Sequence, residues 1–183
     1  MISSLNDKKI LFICPIFYNY HQLIQTKLIE SGAEVIFVPE REYSIKFSIV
    51  NNFFPFYLEQ LQQNYFNTIQ NSIENKTFDY LFVIRGFKLP EKFLNYLKIR
   101  NPMIKLIMYQ WDSNANNPYF DSIKKYDKVF SFDYLDCNLN NNVINLPLFY
   151  TDDIHELQVN QSKIKIEYDY FFFGSFNPAP ALN

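Results

Sequence analysis

The sequence predicts a doubly wound α/β domain with a mostly parallel sheet, and three observations carry that expectation. Apolar runs of strand length alternate with segments whose apolar residues recur every three or four positions, the order that joins parallel strands through covering helices. Runs such as Lys9-Ile10-Leu11-Phe12-Ile13-Cys14 and Tyr80-Leu81-Phe82-Val83-Ile84 are continuously apolar, as expected of strands covered on both faces. Four runs also stop at short polar clusters: Phe17-Tyr18-Asn19-Tyr20-His21, Arg85-Gly86, Gln110-Trp111-Asp112-Ser113 and Asp133. In open parallel sheets ligands bind outside the carboxyl ends of the strands, so the clusters read as one shared site.

The first strand covers residues 8–14, and a helix follows from Tyr20 to Ser31 with Leu23, Ile24, Leu28 and Ile29 as its apolar stripe. Gly32 supplies a left-handed stop. Glu34 to Val38 is the second strand, ended by Pro39, and residues 40–51 show no period and read as a mobile loop. From Asn52 to Asn75 the steps between Phe54, Leu58, Leu61, Tyr65, Ile69 and Ile73 predict one long helix. The cluster Phe53, Phe54, Phe56 and Tyr57 reads as core, with a lipid-linked acceptor or a membrane surface as the alternative.

The third strand is 79–84, and Pro90 opens a helix that turns Phe93, Leu94 and Leu97 inward. The fourth strand is 103–110. A shorter helix, Asn116 to Lys125, takes Asn116 or Asn117 as cap and Pro118 at its first position. Strands at 127–132 and 143–149 flank a polar turn containing Asn138, Asn140, Asn141 and Asn142. Residues 151–167 read as a polar linker, and Tyr168 to Phe173 followed by Gly174 as the opening of a second α/β unit. The expected domains are therefore 1–167 and 168–183.

Composition narrows the function classes. The chain has 183 residues, enough for one domain, and 48% of them are hydrophobic, including 20 Phe and 14 Tyr. A net charge of -2 gives no case for nucleic acid, and Lys124, Lys125 and Lys128 read as a solvated helix end. Cys14 and Cys137 sit in no CxxC, which argues against zinc and against a disulfide framework. The only glycines, Gly32, Gly86 and Gly174, cannot form a dinucleotide fingerprint or a P-loop. No cofactor and no metal are expected. Asp7, Lys8 and Lys9 precede the first apolar stretch, and no apolar segment approaches the ~20 residues needed to span a bilayer. The expected location is cytoplasmic, extending to peripheral contact at the inner face of the membrane.

Among the clusters, His21 at a helix start could take a proton from a hydroxyl, or simply cap the helix. Asp112 could orient His21 or bind sugar hydroxyls beside the apolar platform of Trp111; the alternative is a local turn made by Asp112 and Ser113. Arg85 with Gly86 could meet an anionic group, or be a surface arginine beside a turn. Asp133 and Asp136 could hold a hydroxyl or cap a turn, and the cap is favoured. His155 reads as exposed.

In this order the clusters resemble a family of bacterial glycosyltransferases of the GT-B fold that serve lipopolysaccharide and capsular polysaccharide biosynthesis, the CgeB-like enzymes. The matching pieces are Ile10-Leu11-Phe12-Ile13-Cys14-Pro15 with Phe17, Tyr20 and His21, then Arg85-Gly86 and Tyr109-Gln110-Trp111-Asp112-Ser113. Phe130-Ser131-Phe132-Asp133, Leu146-Pro147-Leu148-Phe149-Tyr150 and Tyr168-Asp169-Tyr170-Phe171-Phe172-Phe173-Gly174 complete the set. The resemblance implies the Rossmann-like N-terminal half of such an enzyme, which holds a saccharide or lipid-linked saccharide acceptor. His21 and Asp112 are then the catalytic candidates, with Tyr18, Tyr20, Arg85, Gly86, Trp111, Ser113 and Asp133 contacting substrate. The nucleotide-sugar donor belongs to the second domain, of which residues 168–183 resemble only the first strand, so the chain alone is expected not to turn over. A stand-alone binding or regulatory module is the alternative; a receiver-like domain fits poorly, because Pro15-Ile16-Phe17-Tyr18-Asn19 offers no acidic cluster.

Overall fold

Strand β1 (Lys9–Cys14) is buried from Ile10 onward and pairs in parallel on both sides, with β2 (Glu34–Pro39) and with β3 (Tyr80–Ile84). The computed structural model describes residues 5–149. Beyond β3 the sheet continues through β4 (Lys105–Gln110), β5 (Lys128–Ser131) and β6 (Val143–Asn145). The order is β2-β1-β3-β4-β5-β6 and every pairing among the described residues is parallel. The domain is a doubly wound, Rossmann-like α/β fold. The chain divides into two units, Met1–Leu148 and Phe149–Asn183. The expected linker at 151–167 and the strand at 168–173 lie outside the described residues.

Parallel neighbours need right-handed crossovers, so a reversal in strand order puts helices on opposite faces. The step from β1 to β2 carries α1 (Tyr20–Glu30), whose Ile24 and Leu28 pack with Ile10, Phe12 and Cys14. The return from β2 to β3 carries α3 (Leu58–Ser72), and the next step carries α4 (Glu91–Arg100). Phe66 of α3 and Phe93, Leu94 and Leu97 of α4 cover Leu11, Ile13, Leu81, Val83 and Leu106 on the other face. Each such side chain, buried fully, contributes roughly 1.5–3 kcal/mol of transfer free energy. The reversal falls between β1 and β3, where their carboxyl ends open a crevice.

Several elements depart from the expected ones. In α1 the outer residue Ile29 is exposed, and the buried residue is His21. The helix closes as a Schellman turn: Gly32 N–H donates to Ile29 O and Ala33 N–H to Leu28 O, with Gly32 at φ 97°. The expected loop at 40–51 contains a helix, α2 (Ile45–Phe53), started by Ser44, whose hydroxyl accepts from Phe47 N–H. Only Phe47 of α2 is fully buried, which is why the segment shows no period.

The long helix expected over 52–75 is broken. Phe54, preceding Pro55, is held out of helical geometry at φ -136° and ψ 55°, and Pro55–Tyr57 forms one 3₁₀ turn before α3 begins. This also overturns the core reading of the neighbouring aromatics: Phe53 and Phe56 are 72% and 71% exposed, and Phe54 and Tyr57 are exposed with them. Between β4 and β5 the expected helix is a 3₁₀ segment, Phe120–Lys125. Its entry is fixed by Asn114, whose side-chain oxygen accepts from Tyr119 and Phe120 N–H, not by Asn116 or Asn117. The turn expected before β6 includes a short helix, α5 (Tyr134–Leu139). No helix among the described residues is long and apolar enough to cross a membrane.

Candidate functional site

The crevice is built around the end of β3. Arg85 N–H donates to Tyr109 O, one step beyond the regular ladder, and the backbone then turns through Arg85 at φ 66° and Gly86 at φ 68°. A Cβ on Gly86 would stand 3.0 Å from Val83 Cγ1, so the turn needs glycine for space as well as for dihedral freedom. Arg85 adopts the left-handed region without that freedom, and its carbonyl is held in place by Gln110 Nε2 at 2.8 Å. The turn aims the Arg85 side chain across the carboxyl ends of β2 and β4.

There the guanidinium joins two carboxylates. Arg85 Nη1 lies 3.3 Å from Glu40 Oε1, and Arg85 Nε lies 3.2 Å from Asp112 Oδ2. The two acids differ in setting. Glu40, immediately after β2, is 1% exposed, and Phe87 N–H donates to its Oε2 at 3.4 Å. Its backbone is fixed as well: Glu40 N–H donates to Cys14 O, and the buried Gln62 donates through Nε2 to both Glu40 O and Phe87 O. Burial raises the Glu40 pKa above the ordinary carboxylate range, while Arg85, the Phe87 hydrogen bond and Arg41 pull it down and Asp112 pushes it up. Asp112 is half-exposed. Cys14 sits beneath, its thiol pKa raised by burial and then by the Glu40 charge, which makes it a poor nucleophile.

An aromatic group borders this ionic cluster. Tyr20 meets Trp111 edge to face at 6.1 Å, and Phe17 stacks on Tyr20 at 6.1 Å and meets Tyr18 at 4.7 Å. Phe17 and Tyr18 are strongly exposed. Trp111 also leans on Tyr109, whose hydroxyl donates to Pro147 O. The rim therefore offers ring faces and edges next to a half-exposed carboxylate ion-paired with a guanidinium.

His21 stands apart from that arrangement. It is buried in the first turn of α1 with its ring on Phe37 at 5.0 Å, and its Nδ1 has no hydrogen-bond partner. Asp112 engages Arg85, so the orienting contact expected between Asp112 and His21 is replaced by an ion pair. Ser113 contributes its carbonyl, which accepts from Asn116 and Asn117 N–H and shapes the turn after β4. Asp133 caps α5 by accepting from Leu135 N–H, while Asp136 is buried and accepts from Tyr119 Oη and Asn114 N–H. The structure thus gathers Tyr18, Tyr20, Arg85, Gly86, Trp111 and Asp112 at or beside the β1/β3 switch point.

Glu40 is the member that sequence reasoning missed. It follows the second strand as Arg85 follows the third, and applying the strand-end rule to that strand would have found it. Among the described residues no group of three or more His, Cys, Asp or Glu is placed to hold a metal ion.

Fold and rim together define a class: a parallel, doubly wound α/β domain with a polar and aromatic crevice at its topological switch point. In comparisons with known proteins, no family model matches this chain. No curated protein sequence matches it either.

Proposed function

We propose that the rim binds a saccharide, and that the domain is the acceptor-binding half of a GT-B-type glycosyltransferase acting on lipopolysaccharide or capsular polysaccharide. The observation that carries this reading is the Trp111–Tyr20 ring pair beside a half-exposed Asp112 that is ion-paired with Arg85. A sugar ring presents an apolar C–H face and a set of directional hydroxyls. Aromatic rings match the first, and a carboxylate held by a guanidinium matches the second. The motif resemblance points to the same chemistry from the order of the clusters.

In this proposal Asp112 accepts hydrogen bonds from the acceptor and takes the proton of the attacking hydroxyl, because it is half-exposed while His21 is buried against Phe37. Arg85 positions Asp112 and neutralises Glu40. Tyr18 and Phe17 extend the platform outward. The nucleotide-sugar would be held by a second domain of the kind that residues 168–183 resemble, and closure over the rim would exclude water during transfer.

Saturation-transfer NMR of the purified chain against a panel of mono- and oligosaccharides tests this reading. Binding should appear for at least one hexose- or heptose-containing ligand. Trp111→Ala should weaken it by roughly five- to tenfold, the loss of a ring contact worth about 1 kcal/mol. A panel without a binder, or a binder indifferent to Trp111→Ala, overturns the proposal and leaves a non-catalytic partner-binding module as the better reading.

A further inference from the structure

We infer that the saccharide held at this rim is an anionic one, whose carboxylate or phosphate is taken by the guanidinium of Arg41. The inference rests on the saccharide reading and narrows its substrate class. Arg41 immediately follows Glu40 beyond the carboxyl end of β2. Its guanidinium carbon lies 4.9 Å from the ring centroid of Tyr43 and 4.9 Å from that of Phe47. Both rings are anchored. Phe47 is buried in the cluster that joins α2 to α3, and the Tyr43 hydroxyl accepts from Ile16 N–H at 2.6 Å. Two such contacts order a long side chain before any ligand arrives, which removes part of the entropy loss on binding.

Held in this way, Arg41 has donors to spare. Stacking uses the faces of a guanidinium, while its five N–H groups lie in the plane and remain to be bonded. Arg41 Nε is buried without a hydrogen-bond partner, and among the described residues no carboxylate lies within ion-pair distance of this side chain. A buried donor of a charged group is costly to leave unmet, and a bound anion would meet it. Arg85 is the contrast: its Nη1 and Nε are both engaged by carboxylates, Glu40 and Asp112.

The electrostatics fit an anion. Arg41 and Arg85 both act on the buried Glu40 carboxyl and favour its ionised form. Burial outweighs them and raises its pKa, so the group formed by Arg41, Arg85, Glu40 and Asp112 tends to net positive charge. An incoming carboxylate or phosphate would restore the balance, whereas a neutral sugar leaves that charge unmatched. The position fits as well. Arg41 is joined to the ionic cluster through Glu40, and its Tyr43 clamp is tied by Ile16 to the segment that leads into Phe17, Tyr18 and Tyr20. A sugar on the ring platform would carry its charged substituent toward this neighbourhood.

Titration of the isotope-labelled full chain tests the inference. Glucose, galactose and mannose are each offered as the neutral sugar, the hexuronate and the hexose phosphate, with inorganic phosphate alongside. A charged form of at least one sugar should bind about tenfold or more tighter than its neutral form, the share of one charge-assisted hydrogen-bonded pair. It should also shift the Arg41 Nε–H resonance. Whether the hexuronate or the phosphate gains more names the anionic group. Arg41→Gln should bring the ratio of charged to neutral affinity close to one, and thermal melts establish that this variant stays folded. Equal affinity for charged and neutral forms, or an Arg41 resonance unmoved by bound ligand, overturns the inference and leaves the saccharide reading standing; neither readout needs the variant. A charge preference that Arg41→Gln retains also overturns it and assigns the preference to Arg85. Inorganic phosphate that shifts the Arg41 resonance while no sugar binds keeps the anion site and sinks the saccharide reading. Silence toward every ligand sinks both.

Discussion

Arg85 is the residue on which the site turns, because it touches a buried acid and an exposed one at once. Arg85→Met would leave Glu40 enclosed without its main counter-charge. Breaking a buried pair from one side costs about 3–5 kcal/mol, and the ability of Glu40 to take up a proton brings the expected loss to the lower end at neutral pH. The sign of the pH dependence follows from the raised Glu40 pKa. Between the ordinary carboxylate pKa and the raised folded value, the native state holds more protons than the unfolded chain, so the Glu40 contribution to stability falls as pH rises. Thermal melts of wild type and Glu40→Gln should therefore diverge with pH, the wild type gaining relative to the variant on acidification through that window. The Arg85→Met penalty should shrink over the same range. Arg85 and Asp112 were legible in the sequence because each ends an apolar run. Glu40 also follows a strand end and was open to the same rule, but it was harder to single out because the segment after Pro39 has no period and its partner Arg85 lies 45 residues on.

At the scale of elements, the structure is fixed by small local devices. Ser44 starts α2 by accepting from Phe47 N–H, and Ser44→Ala should destabilise the protein by about 1 kcal/mol, read as a lowered melting temperature and faster amide exchange in α2. Gly86→Ala should cost about 1–2 kcal/mol, since alanine disfavours φ 68° and its methyl would press on Val83. β1 to β5, α1 and α4 could be read almost to their ends because continuous apolar runs and a three-to-four residue period are strong signals, whereas the strand expected over 143–149 ends at Asn145. The region from 40 to 57 could not. α2 buries one fully enclosed side chain, and Pro55 interrupts a pattern that Phe54 and Leu58 continue in spacing alone. The same break explains why four aromatics expected inside are outside. The helix before β6 escaped notice because Asp136, Asn138 and Asn140 favour turns, and its stability comes from the Asp133 cap and the buried Asp136.

Across the molecule, the parallel sheet sets what is stable and what is free to engage a ligand. β1, β3 and β4 are enclosed by the two core layers, whereas α2 and the three-residue β6 have few buried side chains. Amide exchange should be slowest in β1, β3 and β4 and fastest in α2 and β6, and slow exchange in α2 would show that its exposed side chains are covered. Strand alternation announced the fold class in the sequence, but not the β2-β1-β3 order. That order comes from crossover geometry, and it makes the β1/β3 crevice the place where Arg85, Glu40 and Asp112 can meet. Trp111, the only tryptophan, stands at this rim, so its emission reports directly on occupancy. Titration of the chain with the saccharides that bind in the NMR screen, followed by Trp111 fluorescence, should give a saturable change that Asp112→Asn weakens roughly tenfold, as expected for a lost charge-assisted hydrogen bond. A flat emission with every saccharide, or a curve that Asp112→Asn leaves unmoved, would contradict the claim that this rim holds a sugar.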